Sequence, residues 1–312
     1  MEDFIFSLNA ILPIFLTMAV GFFLKQIGFL KQDFLDQLNK FIFYVATSAL
    51  LFSDTSKVDF RETFDARFVS FMLLAIAGLA LILWITVPLF EKNRIRAGAL
   101  IHCGYRSNFA ILGLPLAKNL LDAVGVAKTE IILAFGVPLF NVIAVLCLSY
   151  WSGTKGDYKD TIKKIATNPL IIGALSGLLL SIFGIKLPTP IATSVGYLGN
   201  MAMGLGLIVL GASFDVKKFI CNFKETILGT SIKLLISPVL IMTAALLLGF
   251  RGDEAVIAFI LSGAPTAVNS FVMAKAMGSD SELTSGIVIC STGLCTITMF
   301  IGIYLLRIFE IF

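Results

Sequence analysis

Two short stretches of this sequence set polar side chains beside glycine and proline inside otherwise apolar runs. The first is Arg106-Ser107-Asn108-Phe109-Ala110-Ile111-Leu112-Gly113-Leu114-Pro115. The second is Ser262-Gly263-Ala264-Pro265-Thr266-Ala267-Val268-Asn269. Proline lacks an N–H and clashes with the preceding turn, so it interrupts a helix. In hydrocarbon the freed backbone groups need partners, so broken helices persist only beside protein or a water-filled cavity. The N-termini of half-helices carry partial positive charge and unpaired N–H groups, which suits a carboxylate. The released carbonyls face the other way and could hold a cation. The side chains match that chemistry. Arg106 offers a planar, bidentate donor to a carboxylate, or else a structural pair with a carbonyl or an acid. Asn108 and Asn269 can satisfy freed backbone groups and bind substrate oxygen together, with Ser107 and Thr266 beside them. The expected substrate-binding set is therefore Arg106, Ser107, Asn108, Pro115, Pro265, Thr266 and Asn269, with Asn39 reaching the cavity from a neighbouring helix.

Other reactive residue types form no comparable pattern. His102 is the single histidine, and the five cysteines show no metal spacing. A lone histidine with no evident acid partner argues against an intramembrane enzyme built on His102, Cys103 or Ser107, and against a metal centre. No nucleotide-binding motif is present, so neither a cofactor nor ATP is expected. Lys233 falls within an apolar run, where it would snorkel, pair or change protonation. Asn141 and Asn200 read as hydrogen-bonding links between helices, and Asp54 as an interfacial residue. Carboxylates cluster near the ends of apolar runs, whereas cation exchangers usually need one buried at mid-depth. That tilts the substrate towards an anion.

These residues must be positioned by membrane helices. The chain is 58% hydrophobic and 14% charged, with a mean hydropathy of +0.95. Soluble domains run at roughly 45–50% and about 25%, so lipid is the solvent this composition requires. Apolar runs of spanning length predict ten helices: Phe4–Leu24, Phe34–Phe52, Phe68–Phe90, Ala97–Leu121, Glu130–Trp151, Pro169–Ile185, Ile191–Phe214, Thr226–Phe250, Glu254–Met277 and Leu283–Ile308. With no basic residue before the first run, that run is expected to stay as a membrane helix rather than act as a signal peptide. The loops after helices 1, 3, 5, 7 and 9 hold 13 of the 24 Lys and Arg residues, and the opposite face holds 8. The positive-inside rule then places both termini outside a cytoplasmic-type membrane. The net charge of +4 is a topology signal, not a nucleic-acid footprint.

Helices 4 and 9 carry the two interruptions, one in each half of the chain. Five helices per half is an odd number, so the halves enter from opposite sides. The sequence predicts an all-α polytopic membrane protein, a single unit with inverted repeats at residues 1–151 and 169–312 and a short loop at 152–168. Paired breaks in inverted repeats point to a binding site near the bilayer midplane.

The run Arg106–Leu116 resembles the helix-4 motif of the auxin efflux carrier family, which includes the plant PIN proteins and many bacterial permeases. Asn39–Tyr44, Gly211-Ala212-Ser213 and Pro265–Asn269 are also similar to that family. The resemblance implies ten helices, a scaffold and a moving transport unit, and broken helices 4 and 9 that cross. It further implies elevator-type transport of organic acids, auxin-like or dicarboxylic, often by a homodimer, with a proton or sodium as a possible coupling ion. Unlike the plant proteins, this chain has only a short central loop. The competing expectation is a sodium- or proton-coupled cation antiporter on the same fold.

Overall fold

The computed structural model describes residues 2–56, 64–152 and 167–311; the side chains of residues 2–11, Ile111, Pro115 and Lys218 lie outside the described set. Most of the predicted central loop, residues 153–166, falls outside as well. Helices run in the order α1 (Glu2–Gln26), α2 (Gln32–Phe41), α3 (Thr47–Ser56), α4 (Ala66–Phe90), α5 (Arg94–Tyr105), α6 (Leu114–Leu120), α7 (Ala123–Trp151), α8 (Pro169–Ile182), α9 (Thr189–Ser213), α10 (Val216–Cys221), α11 (Phe223–Ser231), α12 (Ser237–Leu247), α13 (Asp253–Gly263), α14 (Asn269–Ala276) and α15 (Ser281–Ile308). Single π-helical turns join α2 to α3 at Ile42–Ala46, precede α6 at Phe109–Gly113, and join α11 to α12 at Ile232–Ile236. Among the described residues there is no strand, only one isolated bridge.

Five of these helical stretches are long and apolar enough to cross a membrane: Ala66–Phe90, Ala123–Trp151, Thr189–Ser213, Phe223–Leu247 and Ser281–Ile308. Predicted helix 4 is divided into α5, the π turn and α6, and predicted helix 9 into α13 and α14, which leaves each piece too short to span alone. Short polar side chains fix where several helices begin. Asp65, Asn93, Asp122, Asn168 and Asp280 each accept hydrogen bonds from backbone N–H groups in the first turn that follows. Such caps satisfy donors that have no partner within the helix.

The buried apolar side chains separate into two principal cores. One combines α4, α5, α7, α12, α13 and α15, from Phe68 through Ile101 and Ile257 to Leu306. The other combines α1, α2, α3, α8 and α9, together with the faces of α7 and α14 turned towards them. Within the second group the backbones lie almost in contact. A methyl group added at Gly21 or Gly211 would collide with the backbone of Ile208 or Met18 across the α1–α9 contact, and one at Gly173 with Ser48 across α8–α3. Lipid exerts no hydrophobic pressure between helices, so close backbone approach at small residues provides the attraction that holds this group together.

Candidate functional site

The two interrupted helices meet at their breaks. α5 ends at Tyr105, and Arg106 turns extended, with φ −75° and ψ 121°. α13 ends at Gly263, and Ala264 is also extended, with φ −59° and ψ 148°, as the residue before a proline prefers. The extended pieces pass each other antiparallel, with Ser107 bridged to Thr266. The Asn108 N–H donates to the Pro265 carbonyl at 2.8 Å.

A break in hydrocarbon leaves carbonyls without donors, and this protein supplies a donor for each of four. Besides Pro265, the Cys103 carbonyl accepts from Thr266 Oγ1 at 3.0 Å, the Gly104 carbonyl from Ser237 Oγ at 2.9 Å, and the Ser262 carbonyl from Lys233 Nζ at 2.8 Å. Lys233 and Ser237 lie four residues apart on one helical stretch, in and just after the π turn Ile232–Ile236, and so reach both breaks. Ser237 Oγ also approaches the Ile232 carbonyl at 2.8 Å, a group that the widened π turn loosens. Fully buried Lys233 therefore caps a half-helix. Thr266→Val keeps the side-chain size but leaves the Cys103 carbonyl without its donor. The expected cost is about 1–3 kcal/mol, read as a lower thermal midpoint of the detergent-solubilised protein; an unchanged midpoint would show that the bond contributes nothing.

Beside the crossover lies a cavity of about 290 Å³, at the small end of ligand pockets. Arg106, Ser107, Asn108 and Asn269 line it from the broken helices, Asn141 from α7, and Asp54 and Asn200 from α3 and α9. Arg106 is only 4% exposed. Its Nη2 donates to Asn141 Oδ1 at 3.0 Å, and Asn141 Nδ2 is tied to the Val137 carbonyl at 2.8 Å. That second bond fixes the amide so that its oxygen faces the guanidinium. The Arg106 Nε and Nη1 groups are buried with no hydrogen-bond partner, as are Ser107 Oγ and Asn108 Nδ2. Among the described residues no carboxylate pairs with Arg106. A buried cation costs at least about 2.5–3.5 kcal/mol on insertion scales, so an arrangement that leaves two of its N–H groups unpaired is suited to receive an anion from outside. Asn141→Leu frees the guanidinium from its one side-chain partner among the described residues. Anion affinity is expected to fall about tenfold, the worth of one charge-assisted hydrogen bond, as read by titration of the purified protein.

A family model described as membrane transport protein matches the chain twice, over residues 6–156 and 154–303. The chain belongs to the auxin efflux carrier family of membrane transport proteins. This family member is 24% identical over 298 residues to an uncharacterized transporter of Methanocaldococcus jannaschii, covering 91% of this chain and 94% of the relative. It is also 24% identical over 310 residues, 95% of each chain, to a Rhizobium meliloti protein with "malonate transporter" in its name. Against auxin efflux carrier component 6 of Arabidopsis thaliana the match is 26% over 133 residues, 41% of this chain and 23% of that protein. The carrier-family chain is thus a multi-pass membrane transporter rather than an enzyme.

Not every expected residue reaches the cavity of this transporter. Pro265 and Thr266 form the crossover itself through backbone and hydroxyl bonds. Pro115 lies in the first turn of α6, well past the break, and its side chain is outside the described set. Asn39 sits on α2 and points its Nδ2 at the Val272 carbonyl of α14 at 3.5 Å; it lines the contact between the two helix groups, not the cavity. Asn141, Asn200 and Asp54 line the cavity although sequence reasoning gave them linking or interfacial roles. Their signal was present as polar residues inside apolar runs, but nothing in the linear order shows which cavity they share.

Proposed function

We propose that this transporter carries small organic anions by elevator-type alternating access, with the anion held at the helix crossover by Arg106, Ser107, Asn108 and Asn269. The reading rests on one observation above all: a buried guanidinium that lines a cavity, with two of its nitrogens unpartnered and no carboxylate paired with it among the described residues. Two inverted five-helix repeats form the frame, with one broken helix in each half of the chain. In this reading α1–α3 with α8 and α9 form the stationary group and the broken helices belong to the moving one, whose α14 packs against the stationary core. A second cavity of about 670 Å³, lined by Lys25, Asp215, Lys217, Phe271, Lys275 and Glu282, supports access from two sides. Phe271 of α14 faces this cavity, while Asn269, half a turn earlier, faces the first. The distribution of basic loops favours termini on the outer side of the cell membrane.

Counterflow in proteoliposomes tests the proposal. Labelled malate or indole acetate, supplied with and without sodium, should accumulate in vesicles preloaded with the unlabelled acid. Absence of any acid counterflow, together with sodium-driven proton movement, would establish the cation-antiporter alternative.

A further inference from the structure

Lys233 is fully buried on the π turn Ile232–Ile236. Its Nζ donates to the Ser262 carbonyl, and among the described residues it has no ion pair. An ammonium carries three donors, and a neutral amine still carries N–H groups. Either form can hold the Ser262 carbonyl, so a proton can arrive or leave without opening the break. The elements packed against the π turn are α5, α11, α12, α13 and α15. Their carboxylates, Glu225, Asp253, Glu254 and Glu282, all lie in first turns, and none pairs with Lys233. Their other cations lie at helix ends: Arg94, Arg96 and Lys224 in first turns, Arg307 in a last turn. Nearer the break α5 brings His102, Cys103 and Tyr105, followed by Arg106, and α15 brings Cys290, Cys295 and exposed Tyr304; α12 carries no titratable side chain.

Among the described residues Arg106 and Lys233 are thus buried at one crossover, where no carboxylate is buried with them. The π turn sits directly on the end of α5. Ser237 Oγ bonds the Gly104 carbonyl at 2.9 Å, and a methyl group added at Gly104 would meet Ile232 Cγ2 at 2.8 Å. Ser262, which Lys233 holds, precedes by four residues the Thr266 that is bridged to Ser107. A buried charge with no counter-charge is costly, and transporters build proton relays on ionisable residues inside the membrane. An anion on Arg106 offsets a second positive charge in the same low-dielectric core. Linkage is reciprocal, so a proton on Lys233 strengthens anion binding by the same factor. We propose that Lys233 is the proton-coupling site of this carrier. Its amine takes one proton from the water on the side where the anion enters, and the ammonium returns that proton to the water where the anion leaves. This coupling presupposes the proposed anion site at Arg106.

The test titrates the purified full-length protein with malate and with indole acetate from pH 7 to 9, where both acids are fully ionised. Wild-type affinity should fall as pH rises, by at most about tenfold per unit, the limit for one linked proton. In weakly buffered solution with an indicator dye, binding should draw protons from the medium, at most about one per chain. That readout needs no variant, so it stands even where a Lys233 variant fails to fold. Lys233→Arg keeps the charge at every pH tested, and Lys233→Met removes it. Both should bind with an affinity independent of pH and take up no proton. His102→Gln should keep the wild-type slope. A flat wild-type affinity without proton uptake, a slope that persists in Lys233→Arg, or one that vanishes in His102→Gln overturns the coupling site, while Arg106-dependent binding leaves the anion site standing. Binding that persists undiminished in Arg106→Gln, or binding of neither acid, overturns both.

Discussion

Arg106→Gln is expected to weaken organic-anion binding by at least about 100-fold while the yield and thermal midpoint of the purified protein stay at or above wild-type values. The first part follows from the geometry: Arg106 lines the cavity, and its Nε and Nη1 are buried and have no partner among the described residues. Truncating one partner of a buried charged pair costs about 2–5 kcal/mol, which brackets the predicted factor. The second part follows from the same facts. Among the described residues the guanidinium has one side-chain hydrogen bond, to Asn141, which leaves much of its desolvation cost uncompensated. Its removal relieves that cost, so a binding site and a structural pair give opposite stability outcomes. Arg106→Lys should restore only part of the affinity, because an ammonium presents no planar fork. Titration of the three proteins with one acid decides the matter; unchanged affinity in Arg106→Gln removes the guanidinium from the site.

The second large effect concerns movement between the two helix groups. Asp36 of α2 and Lys275 of α14 form an ion pair at 2.9 Å across the boundary between the groups. Asn39 reaches the Val272 carbonyl along the same seam. If transport requires the groups to slide, a covalent tie there must stop turnover completely. Asp36→Cys combined with Lys275→Cys, bridged through two disulfides by a short bis-methanethiosulfonate, should abolish counterflow and leave equilibrium anion binding intact. Reductive cleavage of the bridge should restore transport. Each single variant should transport at near wild-type rates, since a part-exposed ion pair contributes about 0–1 kcal/mol. Full transport by the bridged protein would exclude sliding along this seam.

The elements that carry strong local chemistry were legible in the sequence. Proline and glycine beside Asn108 and Asn269 marked two breaks, because an interrupted helix in lipid is rare without a purpose. Apolar run length gave the long helices. The position of the first break was less legible. Pro115 suggested an interruption near itself, but the backbone opens at Arg106–Asn108 and resumes through the π turn Phe109–Gly113, where no proline occurs. The reason is tertiary: Thr266 and Ser237 supply donors for the Cys103 and Gly104 carbonyls, and without them that opening would be too costly. Lys233 shows the same limit. As a sequence feature it was an unexplained buried cation; its partner, the Ser262 carbonyl, is 29 residues away and becomes a hydrogen-bond acceptor only once α13 has ended. Asn39 was assigned to the site by its residue type and its place in a predicted helix, but helix packing directs it to the seam. Asp54 and Asn200 line one cavity with Arg106 because α3 and α9 pack at backbone distance, as with Gly199 against Leu50.

We propose that the crossover of the broken helices presents a guanidinium to a solute carboxylate, and a cryo-electron microscopy map of the protein with a bound acid tests that most directly. A brominated carboxylic acid selected by thermal stabilisation gives unambiguous density in a cryo-electron microscopy map. Its carboxylate is predicted at hydrogen-bond distance from Nε and Nη1 of Arg106, with Asn108 and Asn269 beside it and the bromine along the apolar wall. A stabilising acid bound elsewhere, with Arg106 engaged by a protein carboxylate or carbonyl instead, would contradict it.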